Sequence, residues 1–372
     1  MSDKLAFVDL AVPGVRGLRP YEPGKPESEL ARELGLRPED IVKLASNENP
    51  LGPSPRAVAA VQEALGEIAR YPDGNGFDLK HRLSEHHGVA PQQITLGNGS
   101  NDVLEIIART FVRPEDGVVF SEHAFIVYPL VTQAIGATPQ VAAARDYGHD
   151  LEALRGKVDT STRIVFIANP NNPTGTWLRA GELEAFVADL PRTVLVVVDE
   201  AYIEYVDDPD FPDASKWIGR YPNLIVTRTF SKVHGLAGLR IGYALSQPET
   251  ADLLNRVRQP FNVNSLAQAA ACGSLGDPDH VRRGVELNRK GMDALTSAFE
   301  ELGLAWIPSV GNFVTVDLGK PADGVFRALL HEGVIVRPIA GYGLPNHLRI
   351  TIGTSTENAR CVAALRKVLA AG

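Results

Sequence analysis

The run Val194-Leu195-Val196-Val197-Val198 restricts the fold more than any other stretch of this chain. It is aliphatic and mostly β-branched, with no polar residue breaking it into alternate faces, so both faces of the strand must be covered. That is the signature of a central parallel strand. The apolar runs Arg163 to Ala168 and Leu224 to Thr227 read the same way, and a helical pattern from Gly181 to Leu190 lies between two of them. Strands and helices in this alternation give an α/β fold with a doubly wound, mostly parallel sheet. Ligands of such sheets bind beyond the C-terminal ends of the strands, so the residues that follow these runs are where chemistry is expected.

A chain of 372 residues suits one large domain plus a smaller one. Residues 1–45 are rich in Pro and Gly and read as an arm that packs with the smaller domain. The large domain is expected over 46–255, with amphipathic helices at Pro55 to Ile68 and Asn101 to Phe111. From 256 to 372 the texture changes to a compact α+β unit. It holds a long helix (Val281 to Leu302), strands at Phe313 to Asp317, Gly333 to Arg337 and His347 to Ile352, and a last helix from Thr356 to Leu369. The net charge of -8 leaves no basic surplus to neutralise a nucleic-acid backbone, though it permits a local basic pocket for a small anion. Met1 to Leu10 lacks the pattern of a secretory signal, and no stretch approaches the length of an apolar membrane span. Cys272 and Cys361 match no metal or redox spacing and read as free thiols, so the expectation is a cytoplasmic protein without membrane contact.

Three segments sit at or just past predicted strand ends: Asn169-Pro170-Asn171-Asn172-Pro173-Thr174-Gly175, Asp199-Glu200-Ala201-Tyr202, and Thr229-Phe230-Ser231-Lys232 continuing to Gly238-Leu239-Arg240. Each has a plain alternative. The first is also a turn signal, Asp199 could cap a helix, and a lysine taken alone is most often a surface residue. As an ordered set they resemble the fold-type-I aminotransferases and, within them, the histidinol-phosphate aminotransferases. The resemblance runs from Leu18-Arg19-Pro20-Tyr21 to Leu348-Arg349-Ile350-Thr351-Ile352-Gly353.

That resemblance implies pyridoxal 5'-phosphate as cofactor, held by Lys232 as a Schiff base, with the freed amine then carrying the proton. Asp199 would pair with the pyridine nitrogen, and a carboxylate ending a buried strand needs some partner in any case. Tyr202 and Asn172 would hydrogen-bond the phenolic oxygen, and Phe125 would stack on the ring. The turn Gly97-Asn98-Gly99-Ser100-Asn101-Asp102 precedes a helix, and its glycines and backbone donors suit a phosphate. It fails as a dinucleotide fingerprint because the third glycine is absent. Gly99, Ser100 and Asn101 would therefore share the phosphate with Thr229, Ser231 and Arg240. Tyr71 would reach the phosphate of a neighbouring subunit, which makes a homodimer with shared sites the expectation. Arg349 would grip the α-carboxylate of glutamate or 2-oxoglutarate as a planar fork. Tyr21, Asn47 and Arg337 would contact the second substrate, histidinol phosphate. Arg349 is the alternative partner for that substrate's phosphate group, since histidinol phosphate has no carboxylate.

Other readings stay open on the sequence. Aromatic amino-acid aminotransferases share the motifs, and a threonine-phosphate decarboxylase uses a similar scaffold. A non-catalytic regulator would need a DNA-binding extension, and the short Pro-rich leader has no helix-turn-helix pattern. His234, where related chains often carry an aromatic, is expected to pack. His81, His86 and His87 fall on a helix end expected to be exposed and show no metal-ligand spacing, so no metal is expected. No Gly-x-Ser-x-Gly elbow or Ser-x-x-Lys arrangement supports a hydrolase.

Overall fold

A computed structural model describes residues 7–18, 20 and 24–371. Its strands, in chain order, begin with β1 (Val42–Lys43), β2 (Ile94–Gly97), β3 (Gly117–Ser121) and β4 (Thr138–Ala142). A short hairpin follows, β5 (Ala144–Arg145) and β6 (Gly148–His149), then β7 (Thr162–Ala168), β8 (Leu195–Asp199), β9 (Leu224–Thr229) and β10 (Gly242–Leu245). The last third holds β11 (Ala305–Ile307), β12 (Phe313–Asp317), β13 (Val334–Ile335), β14 (Arg337–Pro338) and β15 (His347–Thr351).

The large sheet has the order β2-β10-β9-β8-β7-β3-β4, parallel from β9 through β4. β10 runs antiparallel to both its neighbours. Strand β8 lies in the middle, as its unbroken apolar run requires. Val196 and Val198 face one hydrophobic core, Val197 and the partly buried Leu195 the other, so both faces are covered. This is the mixed α/β fold expected from the sequence. Most helices fall within a residue or two of the sequence pattern. Pro55–Ala64 opens at Ser54, whose hydroxyl accepts from the Ala57 amide, and tightens to a 3-10 turn at Leu65–Glu67.

The smaller sheet, β11-β12-β15-β14, is antiparallel and packs under the helices Pro278–Glu301, Ala322–His331 and Ser355–Ala371. The expected single strand from Gly333 to Arg337 is divided. β13 pairs in parallel with β1, and β14 pairs with β15, with Val336 buried at the step between the two. Residues 42–44 therefore belong by hydrogen bonding to this end of the molecule, and Leu44 also accepts from the Thr351 amide. The change of texture near residue 255 marks the end of the large sheet rather than of its core. Helix Ser265–Leu275 lies beyond it but packs on Pro55–Ala64, with Ala267, Ala270 and Ala271 in the same core as β8. Small residues allow that close approach: a Cβ on Gly273 would stand 2.6 Å from the Arg56 carbonyl oxygen. Among the described residues no helix is long and apolar enough to cross a membrane.

One buried ionic cluster is built into the large sheet. Glu200 accepts from Arg228 at 2.9 and 2.8 Å and from the Ala214 amide at 2.8 Å, and Arg228 also reaches Asp213 at 2.6 Å. Neither Glu200 nor Arg228 has appreciable contact with solvent. Such a pair adds little compared with an apolar isostere, but removal of one member strands the other. Arg228→Met is expected to lower stability to urea by about 3–5 kcal/mol. Arg228→Met with Glu200→Gln should recover part of the loss, because the carboxylate that accepts two hydrogen bonds from Arg228 is then neutral as well. Equal losses in the single and double variants would show that packing, not charge, is at stake.

Candidate active site

The C-terminal edges of β7, β8 and β9 deliver Ala168, Asp199 and Thr229 to one cavity of about 230 Å³. The turn after β2 adds Ser100 and Asn101, the segment after β3 adds Phe125, and the chain after β9 adds Ser231, Lys232 and Arg240. Asn47 enters from the stretch following β1 and Arg349 from β15. Asn172 and Tyr202 complete the wall. Residues as far apart in sequence as Ala45 and Arg349 are thus brought together, while the sheet itself supplies the floor.

Asp199 is the deepest charge. It is buried, and it sits opposite Thr227 in the β8–β9 register. The Thr227 hydroxyl donates to one carboxylate oxygen at 2.9 Å and the Tyr128 hydroxyl to the other at 3.1 Å. Burial pushes its carboxyl up to about 6, with those two hydrogen bonds opposing the shift. Neither Thr227 nor Tyr128 is among the site residues expected from sequence. Tyr128 is fully buried, stacks on Phe166 at 4.6 Å and meets the edge of Phe125. In sequence it looks like one more core aromatic, and the only signal is that a buried phenol needs a partner.

Lys232 projects from the turn after β9 towards the Ser46 carbonyl, 3.3 Å away, with its amine 5.5 Å from the centre of the Tyr202 ring. Burial pushes its pKa down to about 7, and the charge of Arg349 and then of Arg240 acts in the same direction. Glu48 and Asp199 oppose them. Tyr202 accepts from Asn47 at 2.9 Å and from Asn172 at 3.2 Å. Asn172 in turn accepts from Arg349 at 2.6 Å, and Arg349 also donates to the Ala45 carbonyl. Asn47 is held at a left-handed φ of 56° by bonds to Thr351 and Asn312, so its amide is aimed by the smaller sheet. One network therefore joins Arg349, Asn172, Tyr202 and Asn47 across the cleft.

The opposite end of the cavity is shaped for an anion. Arg240 donates to the Ala237 carbonyl at 3.0 Å and approaches the Ser231 hydroxyl at 3.5 Å. Among the described residues no carboxylate lies within ion-pair distance of it. Gly99, at φ 86°, brings the start of helix Ser100–Phe111 against the guanidinium, where an added Cβ would stand 2.4 Å from Nη2. Unpaired amides at a helix start, hydroxyls at Ser100, Thr229 and Ser231, and a cation lacking a counter-ion together fit a phosphate group.

Some expected residues lie elsewhere. Arg337 lines a neighbouring cavity with Tyr342 and Gly24, although β14 places it in register beside Arg349 on the same face of the smaller sheet. Tyr71 does not line the cavity of its own chain; it is exposed and stacks on Phe261 at 4.7 Å. Tyr21 lies outside the described residues. His234 is buried, bonded to Ser274 at 2.7 Å and tilted against Phe230, as packing requires. His87 is less exposed than its helix-end position suggests, because it bonds the Tyr243 hydroxyl at 2.8 Å.

Comparison with known proteins accords with this geometry. The family model described as aminotransferase class I and II matches residues 39–365. Histidinol-phosphate aminotransferase 2 of Pseudomonas fluorescens (strain Pf0-1) is 61% identical over 98% of this chain and 99% of its own. Histidinol-phosphate aminotransferase 1 of Nitrosococcus oceani is 58% identical over 98% of each. Among solved structures, the histidinol-phosphate aminotransferase of Sinorhizobium meliloti in complex with pyridoxal-5'-phosphate has a TM-score of 0.88 at 32% identity, covering 97% of both chains. An aspartate aminotransferase from Thermus thermophilus shares the fold at a TM-score of 0.82 and 21% identity. The chain belongs to the histidinol-phosphate aminotransferases, within the class I and II aminotransferases.

Proposed function

We propose that this chain exchanges an amino group between L-histidinol phosphate and 2-oxoglutarate, giving imidazole-acetol phosphate and L-glutamate or the reverse, with pyridoxal 5'-phosphate held on Lys232. The carrying observation is the lysine itself, an amine pushed down to about 7 inside a cavity that also holds a buried carboxylate and an anion cradle. When bound, the cofactor supplies an electron sink for the pair left on the substrate's α-carbon. The amine of Lys232 is unprotonated over much of the neutral range, so it can act first as nucleophile and then as the base that moves a proton. Asp199, held by Thr227 and Tyr128, presents a fixed negative charge to the cofactor's ring nitrogen. Arg240, Ser231, Thr229, Ser100 and the Gly99–Asn101 turn hold the phosphate. Phe125 would offer its ring to the cofactor, and Tyr202 and Asn172 would hydrogen-bond its phenolic oxygen.

Arg349 is the carboxylate-binding residue in this reading. Its planar fork is already oriented by Asn172 and the Ala45 carbonyl. Arg337, its register partner, with Tyr21 and Asn47, meets the second substrate. Two cationic residues side by side on one face suit substrates that end in a carboxylate or a phosphate. The division into an arm over 1–45 and units over 46–255 and 256–372, with the helix Ser265–Leu275 joining the larger core, leaves the cleft between two bodies. The homodimer belongs to the same proposal, in a cytoplasmic setting. Exposed Tyr71, with Ile68, Phe77 and Phe261 as further exposed apolar side chains, suits a surface covered by a second copy.

Capture of pyridoxal phosphate by the cofactor-free protein, followed by visible absorbance, should quicken as pH rises through about 7 and level off above it. The sign follows from the lowered pKa, because the reactive amine is the deprotonated form. A rise only towards pH 10 would mean an ordinary exposed lysine. Lys232→Ala should abolish the bound cofactor's long-wavelength band and cut turnover by at least about 10²–10⁴-fold.

Substrate choice is read from kcat/KM. Histidinol phosphate is expected to exceed phenylalanine by about tenfold or more, with no carbon dioxide released; faster phenylalanine turnover would transfer the assignment to aromatic substrates. Shared sites are tested by mixing Lys232→Ala chains with Tyr71→Ala chains. A hybrid dimer holds one site free of both lesions, so activity should reappear on mixing. Failure of mixed, exchanging chains to regain activity would place Tyr71 outside the partner's site.

A further inference from the structure

The hairpin β5–β6 belongs to none of the segments named above, yet it touches three walls of the cavity. At its base, the His149 side chain bonds the Ala168 carbonyl at 2.9 Å, at the end of β7. Gly148 lies so close to the turn after Asn172 that an added Cβ would stand 3.2 Å from the Thr176 hydroxyl. The Ala144 amide points to Glu122 at 3.4 Å, on the segment leading to Phe125. At its tip, Tyr147 faces the His123 ring at 6.3 Å and meets the His347 ring edge-on at 5.6 Å. His347 is two residues from Arg349 on β15, so the two side chains leave the same face of the smaller sheet. His123 is buried, contacts the Tyr342 carbonyl through Nδ1 at 2.7 Å and lies 3.4 Å from where a Cβ of Gly343 would be.

The turn that carries this ring is an unfavourable one. Asp146 and Tyr147 both have positive φ, 50° and 63°, and form the two-residue loop of a hairpin, where Asn-Gly is the preferred pair. An aromatic residue in the left-handed region is strained and persists only where its surroundings hold it there. Tyr147 is 39% exposed, and the ring contacts it makes are with two imidazoles, one on the large-sheet side and one on β15.

We propose that Tyr147 is a positioning residue: the hairpin tip straps β15 and the loop bearing Tyr342 to the large sheet and so sets Arg349 in place over the site. This role rests on Arg349 meeting the substrate carboxylate, as proposed above. The strap acts through the arginine and the loop, and it touches neither Lys232 nor the anion cradle.

Tyr147→Gly removes the ring and relaxes the turn, so it should not unfold the chain. In the cofactor-loaded protein it should raise KM for glutamate about three- to tenfold, the loss of one aromatic contact. It should leave kcat and the midpoint of cofactor titration nearly unchanged, and Tyr147→Phe should restore KM. In the cofactor-free protein, amide hydrogen exchange over 340–344 should quicken several-fold, while the central strand 195–199 stays as slow as before. Unchanged KM together with unchanged exchange over 340–344 would overturn the proposal. So would faster exchange at 195–199, which marks general loosening. If the unsubstituted protein fails to turn over glutamate, the proposed function falls, and the exchange comparison alone then decides whether the strap exists.

Discussion

A carboxylate at the end of a strand with no exposed face is the constraint around which the rest of this molecule is arranged. Asp199 emerges from Val196-Val197-Val198 into a cavity where its ionised form is disfavoured by desolvation. Hydrogen bonds from Thr227 and Tyr128 take both oxygens and fix the direction in which the charge points. The residue behind it, Glu200, turns to the other face of the sheet and is held by Arg228. Because Thr227 and Arg228 are neighbours on β9, the catalytic side and the structural side of β8 are pinned by adjacent residues of one strand. The buried ion pair adds little stability, and it ties the end of β8 to β9.

The opposite requirement operates at Lys232. Burial and two guanidinium groups lower its pKa, so the surroundings that make the site attractive to anions also favour the neutral amine. The overall charge of -8 gives no hint of this local basic pocket. Arg240 is oriented by a carbonyl and a hydroxyl, with no carboxylate within ion-pair distance among the described residues, and Arg349 donates to an amide oxygen and to a carbonyl. Orienting the Arg240 guanidinium with neutral acceptors leaves its charge available for a ligand, whereas a carboxylate would have quenched it.

The legible part of the sequence is the part in which pattern and chemistry coincide. The unbroken run at Val194–Val198 specifies a doubly covered strand, and polar residues directly after three such runs mark the ligand edge, so Lys232, Asp199, Asn172 and Arg240 were within reach. Tyr128 was not, because its spacing from Phe125 matches a core face of a helix and its hydroxyl has no sequence signature. Arg228 was hidden for the reverse reason: a single charge inside Leu224–Thr229 looks like a strand nearing the surface, when in fact Glu200 and Asp213 accompany it into the interior. The division of Gly333–Arg337 between two sheets follows from which strand each half finds as partner, and short apolar runs carry no record of that. Tyr147 was equally illegible, since nothing in Asp146-Tyr147 resembles the sequence of a tight hairpin turn.

These differences sort by where specificity is made. Much of the cavity wall, including Asp199, Thr229, Ser231 and Lys232, follows directly from strand ends of the large sheet, and strand ends are what sequence patterns mark best. The smaller-sheet side of the cavity is made instead by segments such as β15 and the loop at 340–344. Their mutual placement depends on contacts between side chains far apart in sequence: Asn47 on Thr351, Asn172 on Arg349, Tyr147 on His347. These contacts all lie on the smaller-sheet side of the cavity, whereas Asp199 and Lys232 are placed by β8 and β9. A fold built this way can alter which amino compound it accepts by adjusting the contacts across the cleft, with the reacting groups left untouched, and it is on those contacts that the distinction between a phosphate-bearing and an aromatic substrate must rest.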